Sequence, residues 1–322
     1  MNRRTFVHAL AATLCGIATP GTAQRSGKIP VVGFLTLAGA DSFAQFRDAM
    51  RSLGYIEGQN ISFERRSSEG RSEPLPNLAA ELVRLDVDVL YATGPAAVRA
   101  ARDATSKIPV VAFDLETDPV GAGLVRSLNR PGGNVTGLFL DLPDLAGKWL
   151  QLLHQSVPDR KVVYVLWDST TGSAQLTAAR SAAQRLAIDL DILEIRNSSD
   201  LDRTLSRTTE GRAHGLVVLS SPLFSGNSQR IAEFTLRHRL PGISAFRAFA
   251  DNGGLLSYGP DLVAFRRFAA AYVDKILNGA KPADLPIQQP NTFELVVNLS
   301  TAKVLGLTIP QELQLRADEV IK

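Results

Sequence analysis

From Ile29 onward, short runs of β-branched and aromatic residues alternate with longer stretches whose apolar positions recur every three or four residues. The short runs read as buried strands, and the longer stretches as helices packed on them. Ile29 to Leu37 predicts a first strand, and Asp41 to Leu53 a helix with Phe43, Phe46, Met50 and Leu53 on one face, ended by Gly54. The rhythm continues with strands at Ile61 to Arg65, Val87 to Ala92 and Ile108 to Phe113. Helices are predicted at Glu73 to Leu85, Pro95 to Thr105 and Asp118 to Leu128. Such alternation is the signature of an α/β fold with parallel sheets.

The strongest punctuation is Arg130-Pro131-Gly132-Gly133-Asn134, followed by a strand at Val135 to Leu140, and the first lobe is expected to end near there. After a helix at Pro143 to Ser156 the alternation restarts. Strands are predicted at Val162 to Trp167, Leu190 to Ile195, Leu216 to Leu219 and Ile243 to Phe246, with helices at Ser173 to Leu186, Leu201 to Thr208 and Ile231 to His238. The tail adds a helix at Leu262 to Leu277, a loop at Gly279 to Pro286, a strand at Phe293 to Val297 and a short helix at Thr301 to Leu305. These are surplus to a second half, and they predict a chain that returns to the first lobe and back, so that several crossovers form one hinge. The expected division is residues 24–138 with 251–281 in one lobe and 139–250 with 282–322 in the other.

The first residues change the picture of charge and location. Arg3 and Arg4 precede an apolar run from Val7 to Thr19, too short to span a bilayer, and Gly21 and Ala23 flank an expected cut before Gln24. Residues 1–23 therefore read as a signal peptide, on either a twin-arginine or a general secretory route, and the mature chain is expected to be a soluble periplasmic monomer. Those residues carry two of the 35 basic side chains and none of the 32 acidic ones, so the remainder holds 33 against 32, a net +1. No basic stripe interleaved with aromatics remains to support nucleic-acid binding. Cys15, the single cysteine, leaves with the leader, and Leu14 before it argues against lipid attachment. His154, His214 and His238 are scattered without ligand-like spacing, so no metal is expected.

No nucleophile elbow, phosphate-binding loop or zinc-binding helix occurs, so neither a catalytic set nor a cofactor is expected. Gly121-Ala122-Gly123 lacks the third glycine of a dinucleotide fingerprint. The informative positions are those just after the strands, because open α/β sheets bind ligands outside the carboxyl ends of their strands. They are Thr36, Leu37, Thr93, Gly94, Asp114 and Glu116 in the first half, and Asp168, Ser220, Pro222, Phe246 and Arg247 in the second. Tyr258 joins them where the chain is expected to cross between lobes. Hydroxyls, rings, carboxylates and a guanidinium together suit a small polar molecule with an apolar body. Each residue has a structural alternative: Thr93, Asp114 and Asp168 as helix caps, Phe246 as core, Arg247 as a solvated rim charge, Tyr258 as hinge packing.

Several motifs in one order carry a resemblance. They are Leu53-Gly54-Tyr55-Ile56-Glu57-Gly58-Gln59-Asn60, Leu78 to Val83, Asp118-Pro119-Val120-Gly121, Arg130 to Gly137, Gly253 to Gly259, and Ala302-Lys303 through Pro310. Over residues 29–322 the chain resembles the substrate-binding proteins of ABC transporters, a family that includes tryptophan/tyrosine-binding members. The resemblance implies a type I periplasmic-binding-protein fold of two Rossmann-like lobes joined by a multi-crossover hinge. It also implies a ligand between the lobes and a membrane permease as partner. Where many members carry a small uncharged stretch before Asp118-Pro119, this chain has Asp114-Leu115-Glu116-Thr117. Two carboxylates there suit an ammonium or hydroxyl group of the ligand, with Thr93, Gly94 and Ser220 as partners for a carboxylate.

Overall fold

The computed structural model describes residues 28–37, 40–140, 143–157, 161–207, 214–290 and 292–322; the expected leader lies outside them. Five strands, β1 (Val31–Thr36), β2 (Ser62–Ser67), β3 (Val89–Thr93), β4 (Val110–Asp114) and β5 (Val135–Phe139), form an all-parallel sheet in the order β2-β1-β3-β4-β5. Residues of β1, β3 and β4 are buried almost throughout, as expected of parallel strands covered by helices on both faces.

The second sheet holds β6 (Val162–Asp168), β7 (Asp189–Ile195), β8 (Leu216–Val218), β9 (Gly242–Ser244), β10 (Leu256–Pro260), β11 (Phe293–Asn298) and β12 (Glu319–Ile321). Their order is β12-β11-β10-β9-β8-β6-β7, with β11 antiparallel to β10 and parallel to β12. Strands β7-β6-β8-β9-β10 repeat the order of the first sheet. Each sheet therefore has one point where strand order reverses, between β1 and β3 and between β6 and β8. Such switch points open a crevice at the carboxyl ends of the strands.

The repeat extends to a packing detail. Gly137 in β5 has φ +128°, and a Cβ there would meet the Ala112 carbonyl oxygen at 2.2 Å. Gly259 in β10 would place a Cβ 1.9 Å from the Ala245 carbonyl oxygen. In both sheets the fifth strand lies so close to its neighbour's backbone that only glycine fits. Two of the sequence motifs end on these glycines, which accounts for them by packing.

Among the described residues the chain passes between the two sheets three times. It leaves the first after β5, and the helix Pro143–Ser156 packs on the second, where Trp149 Nε1 donates to the Tyr258 carbonyl at 2.7 Å. After β10 it returns through the helix Leu262–Leu277, capped by Asp261, whose carboxylate accepts from the Val263 and Ala264 N–H groups. That helix sits on the first sheet, with Phe265 edge-on to Phe113 at 6.1 Å and Asp274 accepting from Tyr55 Oη at 2.9 Å. Gln288 then runs beside β5, donating to Gly137 O at 2.9 Å and accepting from Phe139 N at 3.0 Å, before the chain enters β11.

Strand pairing thus differs from the expected division of the chain. Leu256–Pro260 belongs to the second sheet, and the returning segment runs through Gln288 rather than ending at 281. A second difference is at Asp118 to Leu128, which forms turns rather than a helix. Gly123 (φ +66°) takes the backbone out of the helical region, while Leu124 and Val125 stay buried and keep an apolar spacing that a helix would share.

Candidate functional site

The carboxyl ends of both sheets face each other. At the first switch point Thr93 Oγ1 donates to Thr36 Oγ1 at 2.8 Å. Gly94 follows with φ +84°, opening the helix Pro95–Ala104. A Cβ at Gly94 would lie 2.5 Å from Cγ of Pro222, which comes from the opposite sheet.

Beside it, β4 ends at Asp114, whose Oδ1 accepts from the N–H groups of Glu116 at 3.0 Å and Thr117 at 3.1 Å. This is a carboxylate closing a turn. Glu116 reaches across the seam, where its Oε1 accepts from Ser220 Oγ at 2.6 Å. Burial pushes the Asp114 carboxyl up to about 6 and that of Glu116 up to about 8, the charge of Asp114 adding to the second shift. Oδ2 of Asp114 and Oε2 of Glu116 are buried and have no hydrogen-bond partner among the described residues.

On the other side β6 ends at Asp168, raised in pKa by burial, which accepts from Thr170 N at 2.9 Å and Ser221 Oγ at 2.6 Å. Ser221 in turn accepts from Leu223 N and caps the short helix Pro222–Ser225. The Gln175 side chain holds the Ser220 backbone through two bonds, at 3.0 and 2.9 Å. The hydroxyl that meets Glu116 is therefore fixed by its own lobe.

Between these ends lies a cavity of about 450 Å³, within the range of small-molecule sites. Of the residues singled out by sequence, Thr36, Thr93, Gly94, Glu116, Pro222, Phe246 and Arg247 line it. The other five do not. Asp114, Asp168 and Ser220 are buried beneath its wall in the bonds just described. Leu37 is buried in the core, and the Tyr258 ring stacks on Phe293 at 5.9 Å, beside the crossings. Arg247 is tied by its guanidinium to Glu294 at 2.7 Å, Glu319 at 2.6 Å and Asp251 at 3.4 Å.

The strand-end rule missed lining residues brought in by other elements. Phe113 precedes the end of β4, and Asp261, Leu262 and Arg266 come from the second crossing. The guanidinium of Arg266 lies over the Phe113 ring at 5.4 Å from its centroid. Capping chemistry at Asp261 marks that helix start in the sequence, but no local signal places it at the mouth of a cavity.

Residues 28–321 match the family described as ABC transporter substrate binding protein. The chain belongs to that family. A tyrosine-binding protein of Clostridioides difficile is 25% identical over 266 residues, covering 81% of this chain and 75% of the relative. A conserved domain protein of Vibrio cholerae is 25% identical with a TM-score of 0.81, over 91% of this chain and 100% of that one. A domain of Streptococcus pneumoniae, solved in complex with L-Trp, is 23% identical with a TM-score of 0.80 over the same shares. Family and neighbours agree with the type I binding-protein architecture built from the two sheets.

Proposed function

We propose that this chain is the exported solute-binding component of an ABC importer, and that its ligand is an aromatic amino acid or a related aromatic acid. The observation that carries the reading is the cavity enclosed between the carboxyl ends of two sheets that are joined by three crossings. The proximity across the seam of Glu116 to Ser220 and of Gly94 to Pro222 supports a closed arrangement of the lobes. A ligand that touches both walls favours that state over an open one, which makes closure the signal a permease reads. The tyrosine-binding relative supports the aromatic class, and Phe113 and Phe246 in the lining agree with it.

The protein works by stoichiometric capture as a periplasmic monomer after loss of residues 1–23. No helix among the described residues is long and apolar enough to cross a membrane. A thermal-shift screen over amino acids and aromatic acids tests the ligand class, since a ligand selective for the folded state raises its apparent stability. Small-angle scattering with the best hit is expected to show compaction. Conversion of the hit into a product would make the protein an exported α/β enzyme instead.

A further inference from the structure

Six charged residues line the cavity: Glu116, Arg247, Asp251, Asp261, Arg266 and Glu294. All but one have their charge answered or removed by the protein itself. Arg247 binds Asp251 and Glu294. Asp261 accepts two backbone N–H groups at a helix start. Glu116 accepts from Ser220 and holds its proton because it is buried beside Asp114.

Arg266 is the exception. Among the described residues its guanidinium has one hydrogen bond, a 3.5 Å contact with the Leu262 carbonyl, and no carboxylate partner. It also lies over the face of Phe113 and is near enough to Tyr91 to interact with it electrostatically. Burial disfavours its charged form, so the cation sits in the wall at a cost. A guanidinium laid on a ring keeps its in-plane N–H groups for a planar anion, which it binds through two parallel bonds.

We infer that the ligand carries a carboxylate and that Arg266 receives it, with the ligand's apolar body held between Phe113 and Phe246. This rests on the cavity being the solute site. It moves the carboxylate from Thr93, Gly94 and Ser220, its partners in the sequence expectation, to Arg266, and it leaves Asp114, expected there to meet an ammonium or hydroxyl group, outside the cavity lining. Arg266 is thus a specificity-determining residue contributed by the returning helix.

Calorimetric titration of the mature full-length protein tests this with matched probes: L-tryptophan against L-tryptophanamide, L-phenylalanine against 3-phenylpropanoate, and 2-phenylethanol as a neutral ring. Carboxylate probes are expected to bind at least about tenfold tighter than the amide or the alcohol, as befits a charge-assisted pair. Arg266→Gln is expected to erase that preference, and Arg266→Lys to restore part of it. The phenylalanine pair separates an amino acid from an amine-free acid, since the two differ only in the ammonium group. If the amide binds as tightly as L-tryptophan to the unmodified protein, the inference is wrong whatever the variants do. Binding of 2-phenylethanol equal to that of the acids, or acid affinity unchanged in Arg266→Gln, also overturns it while leaving the solute site standing. If no probe binds, the proposed aromatic ligand class fails and takes the inference with it.

Discussion

Ser220 Oγ donates to Glu116 Oε1 at 2.6 Å, joining the loop after β8 to the loop after β4 across the seam between the two sheets. Both side chains are buried and each is fixed from its own side, Glu116 by the Asp114 turn and Ser220 by Gln175. Under the proposed hinge mechanism, the bond forms on closure. Ser220→Ala is expected to weaken ligand binding about fivefold, the value of one neutral hydrogen bond, because the Glu116 carboxyl is then buried without its donor. Calorimetric affinity lowered in a protein whose unfolding curve is unchanged would place the effect on closure. Equal losses of stability and affinity would place it on the fold.

The same pair predicts how stability depends on pH. Glu116 titrates at about 8 here against an ordinary 4.5, so the folded protein binds a proton that the unfolded chain releases at lower pH. Stability rises with pH only where the unfolded state binds more protons, and here it binds fewer. The contribution of this carboxyl is therefore complete below about pH 4.5, declines as pH rises, and is lost above about 8. Glu116→Gln, which keeps the acceptor and removes the titration, is expected to flatten the fall in Tm between pH 5 and 9. An unchanged profile in the variant would assign the dependence to another group.

Gly94→Ala addresses closure sterically. The added methyl would lie 2.5 Å from Pro222 on the opposite lobe, at a positive φ that alanine resists. The strain costs about 1–3 kcal/mol of local stability. The larger effect is expected on scattering, with the radius staying at its ligand-free value at ligand concentrations that compact the unmodified protein. Full compaction would mean that Pro222 yields.

Gly137→Ala is expected to destabilise the fold by about 2–5 kcal/mol, combining left-handed strain with overpacking against β4. Gly133, a few residues earlier in the same motif, has no atom within 4 Å of an added Cβ. Gly133→Ala is the matched control and is expected to be near neutral in urea unfolding. Equal costs would remove the packing account of the motif.

Much of this was readable from strand patterns. The buried runs of β1, β3 and β4 end at Thr36, Thr93 and Asp114, and the strand-end rule then points at the crevice without knowing any contact. What a single strand cannot tell is which residues after it face the cavity and which turn under its wall. Asp114 and Glu116 are two positions apart, yet one closes a turn and the other crosses the seam. Arg266 was invisible for a different reason. It lies inside an amphipathic helix whose place is set by the crossing near Asp261, a long-range fact with no local periodicity. Turns replace the expected helix at Asp118 to Leu128 because the positive φ of Gly123 interrupts it, whereas the buried Leu124 and Val125 carry an apolar spacing compatible with either.

Asp114 is where sequence and structure assign different tasks, and one substitution separates them. As a ligand acceptor it would lose roughly ten- to a hundredfold in affinity on conversion to asparagine. Instead its Oδ1 accepts from the Glu116 and Thr117 N–H groups, and it does not line the cavity. Asparagine retains an acceptor oxygen for both bonds, so Asp114→Asn is expected to leave affinity within about twofold at pH 5, where Glu116 is protonated either way. Its effect should appear as a shift in titration. The charge of Asp114 is one cause of the raised Glu116 pKa, and removing it brings that value down from about 8. The fall of Tm with pH should then end at lower pH than in the unmodified protein. Asp114→Ala, by contrast, strips both turn N–H groups of their acceptor and is expected to cost about 0.5–2 kcal/mol at every pH. Paired melts of the two variants from pH 5 to 9, with titrations at pH 5, decide the matter. A large affinity loss in Asp114→Asn at pH 5 would return Asp114 to the ligand.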